Sequence, residues 1–331
     1  MSDSRIKWID QLKGFAIILV VYGHNFPLLE NYIYSFHMPL FFFLAGIFHP
    51  KKINYHHIKK RAKQILIPYF IWAVFLFLFW YFLGRKFGES LDKVNDPIKN
   101  FIGIFYAQGD YEFMSWGIPM WFLPSIFVTF VLFGLITRIK KILFQILLLL
   151  FCILLGFLLP KIFNSYFFWS LDVALVSLFF YALGFYFKDF YLFLKLKNKT
   201  FWFCLIFALH IFFSFIFINK VDMYRAIYGN YIVFLLAAVV GIYFWMFIFK
   251  YLINSSFFSF YGKSTIVVLA LHGRALTFIK SILYFVFGYT VFNFNELEKI
   301  ILVFLQLAIL YLPIIYINKF LPILNGKIKK V

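Results

Sequence analysis

The chain has 331 residues, of which 64% are hydrophobic and only 14% are charged, and its mean hydropathy is +0.89. Soluble globular proteins carry about 45–50% apolar and about 25% charged residues, so this composition excludes an ordinary soluble domain and predicts a polytopic membrane protein. The formal charge of +19 is no argument for nucleic-acid binding, because Lys and Arg collect in the cytoplasmic loops of membrane proteins.

Ten apolar runs follow one another along the chain, each about as long as the 20 residues that a membrane helix needs. They lie at residues 12–29, 32–48, 65–83, 119–137, 142–160, 167–187, 201–218, 231–252, 264–287 and 299–318. No Gly/Ser linker and no internal repeat divides them. The sequence therefore predicts an all-α polytopic membrane protein with a single membrane-embedded domain over residues 1–331.

The flanks of these runs predict their orientation. Lys and Arg are concentrated in alternate loops, and this bias places both termini in the cytoplasm. No cleavage site follows the first run, so we expect it to remain in the mature chain. Cys152 and Cys204 lie inside apolar runs and are interpreted as packing residues without a disulfide. The longest stretch between spans, residues 84–118, would lie outside, as a lid over an external site or as a solvated loop.

The first span contains ionisable residues in the otherwise apolar segment "DQLKGFAIILVVYGHNF". At 100° per residue, Asp10, Lys13 and His24 lie along one stripe of a helix, and Lys13 and His24 are about 16 Å apart. An ionisable group in the bilayer core costs about 2.5–3.5 kcal/mol, so each is a functional candidate. The structural alternatives are a Lys13 side chain that reaches the interface and a His24 ring bonded to a neighbouring helix.

The second span begins with "YSFHMPLFFFLAG", which contains His37. Because a short loop joins the first two spans, we expect His24 and His37 to share one cavity. Pro39 frees a backbone carbonyl nearby, which is tolerated only where protein or water satisfies it. A metal site is not predicted, because Asp10 lies at the opposite end of its helix and no close ligand cluster is visible.

Three later segments supply further candidates. The basic run "HHIKKRAKQILIPYFIW" is typical of a topology signal or of a rim that binds donor phosphates, with Arg61 suited to forked contacts. Trp121, in "PMWFLP", is an interfacial belt residue or the wall of a site. The segment "YGKSTIVVLALHGRA" places His272 and Arg274 in the ninth span, where Arg274 needs a partner or a wet cavity. No P-loop, G-x-S-x-G, H-E-x-x-H or dinucleotide motif competes with these.

Five segments resemble, in their order, the acyltransferase 3 family of integral-membrane acyltransferases, and among them the sugar O-acetyltransferases similar to fucose 4-O-acetylase. They are "DQLKGFAIILVVYGH", "FHMPLFFFLAG", "KKRAKQILIPYFIW", "PMWFLPSIF" and "YGKSTIVVLALH". Lys13 and His24 meet the family's spacing of a basic residue and a histidine with ten residues between them. The chain departs from the family at the third span, where Gln64 replaces the second of two arginines spaced three apart; Lys60 and Lys63 are the substitutes for that phosphate contact.

The resemblance implies about ten spans with cytoplasmic ends and transfer of an acetyl group from cytoplasmic acetyl-CoA to a glycan hydroxyl, in the inner membrane of a bacterium and without a metal. The acceptor would be lipopolysaccharide, capsule, exopolysaccharide or a lipid-linked precursor, so the partners are membrane lipid and glycan, with no nucleic acid. Two alternatives are a glycan transporter or flippase, which also lines its path with polar residues, and a non-catalytic subunit of a polysaccharide synthase.

The resemblance also implies roles for the candidate residues. His24 would be the general base or the acyl carrier, and His37 would position the acceptor or stabilise the oxyanion. Asp10 would be a further catalytic residue, which orients the inner end of the polar stripe on the first helix. The donor phosphates would be bound by Lys13, Arg61, Lys60 and Lys63. The acceptor would be contacted by Trp121, His272 and Arg274.

Overall fold

The computed structural model describes residues 6–86, 96–190 and 198–328, and in these ranges helices joined by turns and loops are accompanied by one isolated β-bridge between Asp222 and Ile227. The α-helices of this part are α1 (Lys7–Gly23), α2 (Glu30–Ile47), α3 (Tyr55–Phe82), α4 (Pro97–Tyr106), α5 (Tyr111–Met114), α6 (Phe122–Ile136), α7 (Ile142–Phe163), α8 (Leu171–Phe190), α9 (Lys199–Ile211), α10 (Tyr231–Phe247), α11 (Ser256–Gly262), α12 (Thr265–Phe287) and α13 (Glu296–Phe320). The prediction of an all-α protein is confirmed.

Seven of the predicted spans correspond to helices long and apolar enough to cross a membrane. They are Tyr55–Phe82, Ile118–Ile136, Ile142–Phe163, Phe168–Tyr186, Tyr231–Leu252, Thr265–Phe287 and Glu296–Phe320. The other three predicted spans correspond to α1, with 17 residues, to α2, which includes Glu30 and His37, and to the shorter apolar helix Thr200–Ile216. A multi-pass membrane protein follows, whereas the number ten and the cytoplasmic termini stay predictions.

Two helices differ from the predicted spans at their ends. The first helix is Lys7–Gly23 rather than residues 12–29, because the chain turns at His24 to Phe26 and Pro27 cannot continue a helix. The third helix begins at Tyr55, ten residues before the predicted span, because the Asn54 side chain caps it by accepting a hydrogen bond from the His57 N–H at 2.9 Å. The basic run thus lies on the first turns of α3.

Glycines bring two helix pairs into close backbone contact. A Cβ at Gly14 of α1 would collide with the Phe258 carbonyl of α11, and a Cβ at Gly262 would collide with the Asp10 carbonyl. The pair α2 and α8 repeats this arrangement with Gly46 and Gly184. Small residues allow such approach, and packing is the main attraction between helices in lipid.

The second helix lies at the centre of the bundle. Twelve of its eighteen residues are buried, and it packs against α1, α8 and α10. In contrast, only 22% of the most apolar 18-residue stretch of α7 is buried. This leaves a Leu-rich surface for contact with lipid. The part of α2 from Ile33 onward is therefore enclosed by other helices, whereas Phe26, Leu28 and Leu29 before it are exposed.

Candidate functional site

A small cleft opens where α1 ends and α2 begins. Its free volume is about 50 Å³, which is room for a few water molecules or a small substituent. We call it the histidine cleft and define it by the polar and aromatic residues of its wall, which are His24, Tyr34, His37, Trp121, Asp222 and Tyr224. The rest of its wall is apolar. The two histidines that the short loop predicted to share a cavity both line it.

The backbone fixes the tautomer of both histidines. Nδ1 of His24 lies 2.7 Å from the Val20 carbonyl oxygen, and Nδ1 of His37 lies 2.7 Å from the Ile33 carbonyl oxygen. A carbonyl oxygen only accepts hydrogen bonds, so Nδ1 carries the hydrogen in each ring. In the neutral form Nε2 then has the lone pair, and it can take a proton or attack an acyl group.

A third histidine packs behind the cleft. The His272 ring lies 4.8 Å from the His24 ring, edge to face, and its own Nδ1 donates to the Val268 and Leu269 carbonyls at 3.0 and 2.9 Å. His272 is not part of the cleft wall. It therefore supports the His24 ring, and the predicted contact of His272 with the acceptor stays a prediction.

Hydrogen bonds of the Gln306 side chain connect the end of α1, next to His24, with α12, which carries His272. Gln306 of α13 accepts a hydrogen bond from the Asn25 amide at 2.9 Å and donates one to the His272 carbonyl at 3.0 Å. Gln306 is completely buried. Because Asn25 follows His24 directly, this one side chain fixes the end of α1 against α12 and α13.

The Trp121 wall of the cleft is held by the segment before α6. Trp116 donates its indole N–H to the Asn100 carbonyl at 3.0 Å, and Arg274 donates to the Trp116 carbonyl at 3.1 Å. The Arg274 guanidinium also lies 5.2 Å from the centre of the Phe79 ring. Arg274 thus finds the partners that its position requires, and it is not part of the cleft wall.

The predicted lid, residues 84–118, includes this segment. Its part from residue 96 onward is ordered by hydrogen bonds from Asn100 to the Glu112 carbonyl and from the Ser115 N–H to Asn100. Residues 87–95 lie outside the described residues. A role as a lid stays a prediction, and the described part forms a fixed wall beside Trp121.

The loop between α9 and α10 closes the cleft on a further side with Asp222 and Tyr224. Burial raises the pKa of the Asp222 carboxyl to about 6, and the nearby Arg225 charge opposes that rise. Burial, together with the Asp222 charge, raises the pKa of Tyr224 to about 12. At neutral pH the loop therefore presents a carboxylate beside a phenol that keeps its hydrogen.

Two cations lie at the other end of α2. The Lys13 ammonium is 5.2 Å from the centre of the Phe48 ring, directly after α2, and the Arg61 guanidinium is 5.8 Å from the Phe130 ring. The ring of His49 lies 4.9 Å from the same Phe130 ring, so Arg61 is beside the end of α2 as well. We call Lys13 and Arg61 the basic pair. Nε of Arg61 is buried, and its N–H has no acceptor among the described residues.

The remaining predicted residues lie away from the cleft. Asp10 is buried on α1, fourteen residues before His24, which corresponds to about 21 Å along a helix. Lys60 and Lys63 are exposed on the first turns of α3, next to Arg61. Within the described ranges, no group of three or more His, Cys, Asp and Glu side chains is placed to hold a metal ion. Roles for Asp10, Lys60 and Lys63 stay predictions.

Asp222 and Gln306 are site residues that the sequence did not indicate. Asp222 lies in a loop whose composition resembles any polar connection, and its place in the cleft depends on long-range packing. Gln306 was visible as a lone amide in the apolar segment "ILVFLQLAIL". Attention to buried amides, as well as to ionisable residues, would have found it.

Comparison with known proteins gives one family. The sequence model of the acyltransferase 3 family, described as an acyltransferase domain, matches residues 6–318. The match includes the histidine cleft, the basic pair and Gln306. No curated protein and no solved structure gives a significant match.

Proposed function

The chain belongs to the acyltransferase 3 family, and on this premise we propose that it is a membrane O-acetyltransferase that moves an acetyl group from acetyl-CoA to a hydroxyl of a cell-surface glycan or of its lipid-linked precursor. The observation that supports this proposal most is the histidine cleft, where His24 and His37 each hold an Nε2 lone pair ready. Acyl transfer to an alcohol needs such a base.

The proposed reaction uses His24 as the base. Nε2 takes the proton of the acceptor hydroxyl while the oxygen attacks the thioester carbonyl. A C–O bond forms, the C–S bond breaks, and the proton passes from the imidazolium to the CoA thiolate. The same lone pair also serves a two-step route: Nε2 takes the acetyl group as the C–S bond breaks and CoA leaves as its thiolate. The hydroxyl then attacks the acetyl group, the C–N bond breaks, and the hydroxyl proton passes to the released Nε2.

The tautomer of His37 supports a role in binding the acceptor rather than in stabilising the oxyanion. With its hydrogen on Nδ1 engaged by the Ile33 carbonyl, neutral His37 has no N–H left for a developing oxyanion. Its Nε2 accepts a hydrogen bond from a hydroxyl instead. His37 therefore positions the acceptor next to His24.

The basic pair is the proposed site for the donor phosphates. Lys13 and Arg61 lie near the end of α2, where Phe48 follows His37 by eleven residues, or about 16 Å along a helix. Guanidinium groups bind phosphate through forked contacts, and the buried Arg61 Nε is without an acceptor within the described chain. With the basic ends in the cytoplasm of a bacterial cell, acetyl-CoA would approach this end from inside and the acceptor would reach the cleft from outside.

The test is His24→Ala, with His56→Ala as the matched control because His56 is exposed at the beginning of α3. Cells that lack the gene are complemented with each variant, the protein level in the membrane is checked, and surface glycans are analysed by mass spectrometry. We expect His24→Ala to lose one acetyl group per modified unit and His56→Ala to retain it. Normal acetylation with His24→Ala at wild-type protein level would refute the role of His24.

A further inference from the structure

One carboxylate of the histidine cleft has no hydrogen-bond donor of its own. The Asp222 side chain is only 15% exposed, and its closest cationic neighbour, Arg225 Nε, is 3.8 Å away, beyond hydrogen-bond distance. Among the described residues, no hydrogen bond to this carboxylate is found. A carboxylate accepts hydrogen bonds at two oxygens, and a half-buried one is stabilised when these oxygens meet donors. Its place in the cleft wall points to donors that come from a ligand.

The loop presents Asp222 in a fixed position. Its backbone exchanges two hydrogen bonds with Ile227, at 2.7 and 3.0 Å. The Asn219 side chain donates to the carbonyls of Tyr228 and Asn230 and accepts from the Asn230 N–H at 2.9 Å. Val221 and Met223, on either side of Asp222, are buried in the core. A preorganised carboxylate binds at a lower entropic cost than one on a mobile loop.

We propose that Asp222 recognises the acceptor by accepting a hydrogen bond from a second hydroxyl, or from an amine, of the unit whose hydroxyl lies at His24. This inference rests on the proposed function. It assigns the acceptor unit to a chemical class: a polyhydroxylated ring without a negative charge at the position that faces Asp222.

The charge and shape of the cleft support this class. A carboxylate or phosphate of a ligand at this position would place two anions side by side in a partly buried cleft, where their repulsion is poorly screened. Neutral His24 and His37 supply lone pairs rather than positive charge there, and the Arg225 side chain is 57% exposed and outside the cleft wall. Trp121, Tyr34 and Tyr224 add aromatic surface at the cleft, against which the apolar face of such a ring can pack while its hydroxyls enter the cleft.

The test compares two acceptors with purified protein in detergent. One is a short oligosaccharide of neutral hexoses, and the other is the same oligosaccharide with a uronic acid in place of the reacting hexose. Transfer of a labelled acetyl group from acetyl-CoA is measured for the wild type, Asp222→Asn and Glu30→Gln. Glu30 is the matched control, because its charge acts on Asp222 but it is not part of the cleft wall.

We expect the wild type to prefer the neutral acceptor, and Asp222→Asn to raise the KM of that acceptor at least tenfold with the KM of acetyl-CoA unchanged. In Asp222→Asn, the preference for the neutral over the uronic acceptor should fall by a similar factor. In Glu30→Gln, this preference should stay at the wild-type value. An unchanged preference in Asp222→Asn, or an equal loss in Glu30→Gln, would overturn this inference and leave the proposed function standing. A wild-type protein that transfers acetyl to neither acceptor would overturn both.

Discussion

At the scale of single residues, the helix backbone sets the chemistry of the histidines in this molecule. His24, His37 and His272 each donate Nδ1–H to a carbonyl three or four residues earlier. Their own helices therefore leave Nε2 as the basic atom, whatever surrounds the ring. The fold decides which of these rings meets a substrate, because His24 and His37 line the cleft and His272 supports His24 from behind.

The raised pKa of Asp222 predicts a pH dependence of acceptor binding. The ionised carboxylate is the form that accepts hydrogen bonds from hydroxyls, and burial raises its pKa from 3.8 to about 6. We therefore expect acceptor binding to be complete above pH 7 and to weaken as the pH falls through 6, seen as a rising acceptor KM. The charged and titratable groups that face Asp222 are Arg225, Lys220, Glu30, Tyr34, Tyr166, Tyr224, Tyr228 and the cleft residues His24 and His37.

The control for this pH dependence is Asp222→Asn, because a step that comes from any other group would persist in that variant. In that variant the acceptor KM should be high at every pH and should show no step near pH 6. Acetyl transfer at saturating acetyl-CoA, measured from pH 5 to pH 8, gives both profiles. Parallel profiles in the wild type and Asp222→Asn would contradict the assignment of the step to Asp222.

The sequence predicted the histidines of the cleft but not its carboxylate, and the reason is physical. His24 and His37 stand out because ionisable residues in apolar helices are costly, and a short loop joins their helices. An aspartate in a polar loop costs little free energy. Nothing in the local sequence therefore marks Asp222, about two hundred residues after the histidines, as a site residue. It reaches the cleft wall because Val221, Met223 and Tyr228 anchor the loop in the core.

At the scale of helices, α13 holds the cleft together through Gln306. Replacing Gln306 by Met keeps the volume and removes the hydrogen bonds to Asn25 and to the His272 carbonyl. We expect kcat to fall about 10- to 100-fold, because a shift of about 1 Å at His24 misplaces the base, while the KM of acetyl-CoA stays the same. The measurement is acetyl transfer by purified protein, with activity expressed per folded molecule.

The chain offers a matched control in another buried hydrogen bond to α13. The Tyr261 hydroxyl donates to the Leu307 carbonyl at 3.0 Å, a buried bond one residue further along α13. Tyr261→Phe should cost about 1 kcal/mol of stability and leave kcat unchanged. Equal losses of kcat in both variants would show that Gln306 contributes stability alone and does not position His24.

The close contacts at glycines predict where one added methyl group would push two helices apart. Gly184→Ala places a Cβ against the Phe43 carbonyl of α2, and overpacking of this kind costs about 1–3 kcal/mol. The melting temperature of the protein in detergent should fall. Gly273→Ala is the control, because its Cβ would meet nothing within 4 Å and Ala favours a helix by about 1 kcal/mol. A melting temperature unaffected by Gly184→Ala would refute the close α2–α8 contact.

Helix positions followed from hydropathy, whereas helix ends and partners did not. Apolar runs predicted α6, α7, α10 and α12 within a few residues. Hydropathy did not indicate the beginning of α3, because its first turns are helical but carry basic side chains. The contact of α1 with α11 was not predicted either, since Gly14 and Gly262 lie far apart in sequence and glycine in an apolar run has several uses.

At the scale of the whole molecule, the two proposed substrates meet the protein at opposite ends of the same two helices. The spacing of Lys13 and His24 on α1 equals that of His37 and Phe48 on α2, and each corresponds to about 16 Å. Because α1 and α2 are antiparallel neighbours and the two spacings are equal, the basic pair lies at one end of the two helices and the histidine cleft at the other. An acyl donor with phosphates at one end of a flexible arm and a thioester at the other fits such a division.

This division predicts that substitutions at the two ends affect different substrates. Arg61→Ala should raise the KM of acetyl-CoA and leave the KM of the acceptor unchanged, because it removes a phosphate contact far from the cleft. Lys59→Ala, an exposed cation on the same turns of α3, is the control and should change neither value. Steady-state kinetics with each substrate varied in turn gives both constants.

The double variant Arg61→Ala/Asp222→Asn then tests whether the ends are independent. Sites more than about 10 Å apart without shared partners act additively, within about 0.5 kcal/mol, which is roughly a factor of two in a KM. We expect the double variant to show the acetyl-CoA KM of one single variant and the acceptor KM of the other. If Arg61→Ala alone raises the acceptor KM as much as that of acetyl-CoA, the two substrates share one end, and the assignment of the basic pair to the donor fails.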